Sequence, residues 1–239
     1  MISFIIPAYN ASGALNNQLS HLIDYLKTNN IESEILIVDD GSRDGEQTKK
    51  VADKFGCKYL KNPVNMGKGA AVRNGMMNST GAIKIFTDAD IPFELDAMKS
   101  IIDEISINNY DMVVGDRTLA ESMYHDQISK KRSIGSNFYS FIVARFISGG
   151  VFDTQCGLKA FKKEIADDIF GVSKLNSFAF DVELISIAVK RNYKIKKIPV
   201  KLRSQEGNSV SMLKHAPGMI ADLFRIKWEL LKGGYKKLS

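Results

Sequence analysis

Two aspartates separated by a single residue, Asp88 and Asp90, follow directly after a short apolar run and can do chemistry together. The run, residues 83–87, is rich in β-branched and apolar residues, which is typical of a buried strand. Alternate residues of an extended chain point the same way, so the two carboxylates form a pair. Close carboxylates repel each other unless a cation lies between them. Because Mg²⁺ and Mn²⁺ accept carboxylate and phosphate oxygens, the pair predicts an open metal site for a nucleotide diphosphate. An Asp-rich turn is the alternative.

The segments around this pair predict a mostly parallel sheet covered by helices on both faces. Apolar runs near residues 2–6, 35–38, 83–87 and 112–115 alternate with stretches in which apolar residues recur at helical spacing, and this alternation is typical of parallel α/β proteins. We expect Pro7 to end the first strand, because proline cannot donate a hydrogen bond to a central ladder. The strand that contains Pro199 should lie at an edge for the same reason.

Ligands of such sheets bind at the carboxyl ends of the strands. That rule brings three polar, strand-terminal segments to one rim of the predicted sheet: Pro7-Ala8-Tyr9-Asn10, Asp39-Asp40-Gly41-Ser42 and Asp88-Ala89-Asp90. Their convergence favours the metal site over the plain turn.

Three later features leave alternatives open. Arg132 and Ser136 are four residues apart, so both can face a phosphate from one helix, or they lie on a solvated helix face. Asp181 precedes a helical stretch and is a candidate N-cap. Residues 217–232 carry a wide apolar arc with basic residues beside it, which predicts either a helix in a membrane interface or a helix packed on the core.

Composition limits the classes of partner. The 239 residues carry a net charge of +6, which suits anionic partners such as nucleotide phosphates, phospholipid headgroups or nucleic acid. No aromatic–basic nucleic-acid module is present, so we expect no nucleic-acid partner. No apolar run of about 20 residues and no signal peptide are expected. Cys57 and Cys156 lie far apart in the sequence, which favours a reduced cytosolic protein.

The assembled motifs resemble family 2 glycosyltransferases of the GT-A fold, and more narrowly the polyprenyl-phosphate (dolichyl-phosphate) branch. The first matching motifs mark the wide family: Ile6–Asn10, Val38–Ser42, Asn65–Gly69 with Arg73 and Gly75, and Asp88–Asp90. Gly115-Asp116-Arg117, Arg132 with Ser136, Asp153–Phe161 and Phe178–Glu183 follow. The runs DTQCG and FAFDVE point to the narrower branch.

This resemblance implies a role for each matching residue. The nucleoside pocket would be lined by Pro7, Ala8, Tyr9, Asn10, Asp39 and Asp40. Gly67, Lys68, Asp88, Ala89 and Asp90 would lie along the nucleotide, and the two aspartates of the pair would hold Mg²⁺ or Mn²⁺. The lipid phosphate would be received by Arg117, Arg132 and Ser136. Asp153 and Gln155 would lie at the sugar and form the catalytic set with Asp90.

The resemblance implies an inverting hexosyltransferase that uses a nucleotide sugar, UDP-glucose first and GDP-mannose next, and a polyprenyl phosphate acceptor. A family 2 transferase with a soluble or polysaccharide acceptor is the alternative, and a catalytically silent nucleotide-sugar binding module is a third possibility.

Residues 1–212 would form the GT-A domain, and residues 213–239 would form a basic amphipathic helix at the cytoplasmic face of a membrane. Two positions depart from the pattern: Pro92 replaces a common glutamine, and Leu202 a common tryptophan. The C-terminal transmembrane helices of many relatives are not expected here.

Overall fold

The computed structural model describes residues 1–44, 46–122, 153–203 and 212–236. Seven strands are assigned within them: β1 Ile2–Ala8, β2 Ser33–Asp39, β3 Lys58–Lys61, β4 Ile83–Thr87, β5 Met112–Asp116, β6 Leu158–Lys162 and β7 Ile195–Pro199. The described helices are α1 Ser12–Thr28, α2 Gln47–Lys54, α3 Lys68–Asn78, α4 Asp96–Ser106, α5 Lys163–Val172, α6 Phe180–Lys190 and α7 Met212–Lys232.

The strands form one sheet in the order β3-β2-β1-β4-β6-β5-β7. The pairs β1–β2, β1–β4, β2–β3 and β5–β7 are parallel, whereas β6 is antiparallel to both β4 and β5. The mostly parallel α/β architecture predicted from the sequence is therefore confirmed. β7 lies at the edge, as its Pro199 requires.

The prediction that Pro7 ends the first strand is wrong. β1 continues to Ala8 and pairs with β2 along its whole length, with Pro7 opposite Val38. The ladder between β1 and β4 ends at Ile5. Proline is tolerated in this central strand because the ladder on one side of it has already ended.

Two apolar layers cover the sheet. One face packs against α3, α5, α6 and α7, through side chains such as Phe86, Phe161 and Phe180. The other face packs against α1 and α4, through side chains such as Phe4, Leu19 and Met98. The two layers fix the sheet rigidly, so the loops at its carboxyl edge have a firm base.

The C-terminal helix α7 packs on the first of these layers. Leu223 and Ile226 are buried in the same core as α6. Of the two alternatives for this segment, packing on the core is observed. The opposite side of α7 remains exposed, so an interface role is compatible with this packing. The boundary between residues 212 and 213 stays a prediction. Within the described residues, no helix combines the length and apolar character needed to cross a bilayer.

Candidate active site

The carboxyl ends of β1, β2, β4 and β5 lie along one edge of the sheet, and β6 starts there because it runs the other way. Thr87, the last residue of β4, pairs with Leu158, the first residue of β6. Residues 153–157 therefore reach the same rim as Asp88 and Asp90. The rim now holds five of the motifs singled out in the sequence.

The first two loops of the rim are tied to each other. The Asn10 amide donates to Ser42 Oγ at 2.9 Å, and the Arg43 amide donates to Asn10 Oδ1 at 2.8 Å. Asn10 has a φ of 50°, a conformation that asparagine tolerates better than most residues. Tyr9 beside it is exposed. The predicted nucleoside residues of the two loops thus form one surface.

Asp39 and Asp40 are both buried, and both use their carboxylates to hold the loops in place. Asp39 accepts hydrogen bonds from the Ser42 amide at 2.8 Å and from the Tyr59 hydroxyl at 2.6 Å. Asp40 accepts from Asn62 Nδ2 at 2.7 Å and from the backbone amides of Met66 and Gly67, at 3.0 and 2.8 Å. The resemblance places one of them at the base, whereas this geometry gives Asp40 a role in shaping the loop over residues 62–67.

Two glycines let this loop pack closely. A Cβ on Gly41 would lie 2.4 Å from the carbonyl carbon of Val64, and one on Gly67 would lie 2.4 Å from the Asn176 carbonyl oxygen. Both glycines also have positive φ, 71° and 98°, which other residues rarely adopt. The backbone at the start of α3 is consequently fixed between β2 and residues 173–176.

Arg73 clamps those residues onto α3. Its guanidinium donates to Ser173 Oγ at 3.0 Å, Asn176 Oδ1 at 2.9 Å and the Leu175 carbonyl at 2.8 Å. Burial lowers the pKa of this guanidinium, although the nearby Glu183 carboxylate opposes the shift. The planar fork meets three acceptors at once, which a lysine cannot do.

Lys68 and Asp88 form an ion pair at the centre of the rim, with 2.6 Å between Nζ and Oδ1. Burial opposes the charge on Lys68, but Asp88, Asp181 and Asp90 outweigh it and raise its pKa. The other oxygen of Asp88 lies against Gly157, where an added Cβ would approach Oδ2 to 2.1 Å. Gly157 therefore fixes the position of Asp88 from the opposite side.

The chemistry of Asp88 and Asp90 fits a divalent cation. Burial, and then the charge of Asp88, raise the pKa of Asp90, so the site disfavours two unneutralised carboxylates. Both groups offer hard oxygen ligands. Among the described residues, no set of three or more His, Cys, Asp or Glu side chains could hold a metal. The two carboxylates would therefore share a cation with oxygens of a ligand, as Mg²⁺ sites often do.

A second ion pair lies behind the first and is fully buried. Lys159 Nζ contacts Asp181 Oδ1 at 2.5 Å and donates to the Cys156 carbonyl at 2.7 Å. Burial raises the pKa of Asp181, against the opposing influence of Lys159 and Lys68. The N-cap prediction for Asp181 is wrong, because the cap position is Ala179 and the Asp181 side chain turns inward to Lys159.

Asp153 and Arg117 form a two-pronged ion pair beside this network. Asp153 Oδ2 accepts from the Arg117 amide and Nε, both at 2.8 Å, and Oδ1 accepts from the second guanidinium nitrogen at 2.7 Å. Burial alone would raise the pKa of Asp153, but Arg117 lowers it. Asp153 is thus suited to orient a positive group rather than to take up a proton. Gln155 nearby is half-buried.

Residues 3–170 match the sequence model of Glycosyl transferase family 2. The chain belongs to this family. A dolichyl-phosphate beta-glucosyltransferase of Trichomonas vaginalis, ALG5D, is 35% identical over 94% of this chain and 72% of its own length. Proteins of the same name from Saccharomyces cerevisiae and Homo sapiens are each 30% identical over 98% of the chain, and over 76% and 77% of their own lengths.

Solved structures of similar fold agree with the topology of this sheet. Glucosyl-3-phosphoglycerate synthase from Mycobacterium tuberculosis, in complex with Mn²⁺, uridine diphosphate and glucosyl-3-phosphoglycerate, has a TM-score of 0.70. It is 19% identical and covers 95% of this chain and 79% of its own. The same enzyme with Mn²⁺ and UDP-glucose has a TM-score of 0.68 and 17% identity, covering 95% and 78%. At this identity the likeness supports the GT-A fold.

The two departures from the family 2 pattern meet in the structure. Phe93 and Leu202 form an antiparallel bridge. The Arg203 amide donates to the Pro92 carbonyl at 2.8 Å, and the Glu94 amide to the Lys201 carbonyl at 2.9 Å. The segment around Pro92, after Asp90, is therefore hydrogen-bonded to the segment around Leu202, after β7.

Arg132 and Ser136, the other predicted acceptor-phosphate residues of this family 2 chain, lie outside the described residues. Sequence reasoning missed Lys159, Tyr59 and Asn62. A lysine inside the apolar run 158–161 was a usable signal, because a charge in a buried strand needs a partner. Tyr59 and Asn62 carried no such signal.

Proposed function

We propose that this chain is a metal-dependent hexosyltransferase that transfers glucose, with inversion, from UDP-glucose to a polyprenyl phosphate such as dolichyl or undecaprenyl phosphate. The observation that carries the proposal is the contact between Asp88 and Gly157. It places the DTQCG segment, which marks the polyprenyl-phosphate branch, directly against the carboxylate pair. The names of the relatives support glucose as the sugar and dolichyl phosphate as the acceptor, and GDP-mannose is the next donor to test.

The donor half of the site lies between β1, β2 and α3. The tied loops at Asn10 and Ser42 offer a surface for the nucleoside. Lys68 is the first residue of α3, and the positive end of a helix dipole attracts phosphate. Asp88 and Asp90 would hold Mg²⁺ or Mn²⁺ there. Such a cation stabilises the negative charge that develops on the departing diphosphate.

The acceptor half lies on the side of β5 and β6. A phosphate monoester is already an anion near neutral pH, so its attack on the sugar needs orientation more than a strong base. Arg117 supplies positive charge there, held in place by Asp153. Arg132 and Ser136 would complete the phosphate site. Asp153 orients Arg117 in this scheme, and Gln155 would contact the sugar.

The test follows label from the donor. Purified protein with Mn²⁺, labelled UDP-glucose and dolichyl or undecaprenyl phosphate should produce an organic-extractable glucolipid. Asp88→Asn and Arg132→Ala should abolish this transfer, whereas Lys99→Gln on the exposed face of α4 should not. Label that moves only to water-soluble acceptors would overturn the lipid assignment. Nucleotide binding without turnover under all conditions would favour a silent binding module.

We further propose that the outer face of α7 contacts a membrane with anionic lipids, which would make the enzyme peripheral at the cytoplasmic face. Ile220, Phe224, Trp228 and Leu231 follow one another at helical spacing and are 52%, 72%, 64% and 76% exposed. Basic side chains, Arg225 and Lys232, are exposed next to this apolar stripe. Apolar contact plus basic charge suits an anionic lipid surface, where a polyprenyl phosphate also resides.

Vesicle flotation tests this surface. Phe224→Gln with Trp228→Gln should reduce binding to anionic vesicles at least about tenfold, since each buried aromatic contributes more than 1 kcal/mol. Met77→Gln with Ile107→Gln, which replace exposed apolar residues elsewhere, should not. Equal binding of both double variants, or a stripe that instead mediates dimerisation in sedimentation experiments, would overturn the membrane assignment.

A further inference from the structure

Lys68 occupies a place beside Asp88 that a metal ion would also need. Its Nζ lies 2.6 Å from Asp88 Oδ1, and its side chain is only 19% exposed. The other carboxylate oxygen lies against Gly157. A divalent cation bound to Asp88 would therefore lie close to the Lys68 ammonium group. Because like charges at such distances repel strongly in a partly buried site, the pair opposes metal binding while Lys68 stays there.

The charges around Lys68 keep it at this position in the ligand-free protein. The carboxylates of Asp88, Asp90 and Asp181 all act on Lys68. Asp181 is already paired with Lys159, and Asp88 is the carboxylate that Lys68 contacts directly, at 2.6 Å. The ring of Phe180 closes one side, with Nζ 5.9 Å from its centre. Lys68 and Asp88 thus satisfy each other.

A bound diphosphate changes this balance. Lys68 is the first residue of α3, and its ammonium contacts Asp88 on the rim. The Gly69 amide is already bonded to the Asn176 carbonyl at 2.9 Å, so the anion is favoured by the positive end of the helix dipole and by Lys68 itself. A diphosphate there would give Lys68 a second anionic partner. Asp88 would then be released to bind a cation that the same diphosphate also binds.

We propose that Lys68 acts as an internal counter-ion for Asp88, which it leaves for the diphosphate when metal and nucleotide bind together. This inference rests on the proposed nucleotide and metal site and adds a coupling between metal binding and nucleotide binding to it. The metal alone binds weakly because Lys68 competes for Asp88. The nucleotide alone binds weakly because Lys68 is held by Asp88. Each ligand therefore strengthens the other by the same factor, as linkage requires.

The experiment measures Mn²⁺ binding by electron paramagnetic resonance, with and without UDP. Wild type should bind Mn²⁺ weakly alone and more tightly with UDP. Lys68→Gln should bind Mn²⁺ alone at least about tenfold more tightly, since a nearby positive charge is removed. The gain in Mn²⁺ affinity on adding UDP should shrink. Lys68→Arg keeps the charge with a fork suited to carboxylates, so its Mn²⁺ affinity without UDP should stay weak or fall.

Lys99→Gln is the matched control, because Lys99 forms a 2.6 Å ion pair with Asp103 on the exposed face of α4, and it should match wild type. Unchanged or weaker Mn²⁺ binding by folded Lys68→Gln would overturn the inference. Should that variant not fold, Lys68→Arg decides, and tighter Mn²⁺ binding without UDP would overturn it. Failure of the wild type to bind UDP and Mn²⁺, even when both are present, would contradict the proposed function instead. An active wild type, with Lys68 variants that bind Mn²⁺ as it does, would contradict the counter-ion role alone.

Discussion

At the scale of single residues, Gly157 shows how the site depends on an absent side chain. An added Cβ would lie 2.1 Å from Asp88 Oδ2, so Gly157→Ala must displace that carboxylate. A shift of about 1 Å at a reacting centre can reduce the rate about 100-fold. We expect Gly157→Ala to lose glucose transfer to this extent and to bind Mn²⁺ with UDP more weakly.

Gly13→Ala provides the comparison for this substitution. Nothing lies within 4 Å of a Cβ added to Gly13 in α1, and alanine favours helix by up to about 1 kcal/mol. Its activity should equal that of wild type. Full activity in Gly157→Ala would show that Asp88 has room to move.

Glu34 is a residue whose carboxylate should contribute to acid sensitivity. Its carboxylate accepts hydrogen bonds from Ser3 at 2.5 Å, Lys58 at 2.6 Å and the Thr80 amide at 2.7 Å. Burial alone would raise its pKa, but Lys58, Ser3 and Thr80 outweigh burial and lower it to about 2.

The sign of the effect follows from the lowered pKa. The stabilisation is complete above the unfolded-state pKa of about 4.5 and is lost as the pH falls towards about 2. Glu34→Gln should therefore lower the free energy of unfolding at pH 7 by at most about 3 kcal/mol. In urea titrations, the difference in free energy of unfolding between wild type and Glu34→Gln should decrease as the pH falls from about 4.5 to about 2. Glu32→Gln, at a side chain 83% exposed, should show no comparable decrease.

At the scale of elements, Arg73 joins α3 to the loop before α6. Arg73→Lys keeps the charge but cannot reach Ser173, Leu175 and Asn176 together. The start of α3 should loosen, because Gly67 and Gly69 pack on residues 175–176. We expect UDP affinity to fall about tenfold and the free energy of unfolding to fall by about 1–3 kcal/mol.

Calorimetric titration with UDP and a denaturant melt would measure both quantities for Arg73→Lys. Arg203→Lys, at an exposed position, serves as the control and should match wild type in each. UDP affinity equal in the two variants would mean that α3 holds the nucleotide site without the clamp.

Element order and sheet class follow from the sequence, because apolar periodicity and Pro199 reflect backbone hydrogen bonding directly. The direction of β6 does not follow from the sequence, since a short apolar run such as 158–161 predicts a strand but not the direction in which the strand runs through the sheet. That direction brings Gly157 to Asp88. The inward turn of Asp181 to Lys159 joins residues 22 apart in sequence, and local patterns contain no information on such distant pairs. Strand-end motifs predicted the rim, whereas the charge network at its centre required the fold.

At the scale of the whole molecule, the C-terminal segment is connected to the nucleotide side of the sheet through Glu183. This buried carboxylate accepts from the amides of Lys174 and Leu175, both at 2.9 Å, and from the Tyr235 hydroxyl at 2.8 Å. Lys174 also forms a 2.6 Å ion pair with Glu229 of α7. The loop that supports Gly67 is therefore held by Arg73 from one side and by the C-terminal segment from the other.

Tyr235→Phe tests this connection, because it removes one hydroxyl and leaves the ring in the core. Burial and the Glu183 carboxylate raise the pKa of Tyr235, so the hydroxyl remains a donor throughout the accessible pH range. Its loss leaves a buried carboxylate with one donor fewer and should lower the free energy of unfolding by about 1–3 kcal/mol. UDP affinity should fall less than in Arg73→Lys, since Glu183 keeps both backbone donors.

The control for this substitution is Tyr110→Phe. Within the described part of the chain the Tyr110 hydroxyl has no hydrogen bond, and its ring contact with Lys196 survives the change. Denaturant melts and UDP titrations of the two variants should therefore separate, with Tyr110→Phe close to wild type. Lower stability of Tyr235→Phe with unchanged UDP affinity would confine Tyr235 to anchoring α7. Lower stability together with lower UDP affinity would connect the proposed membrane face of α7 to the nucleotide loop through a single buried carboxylate.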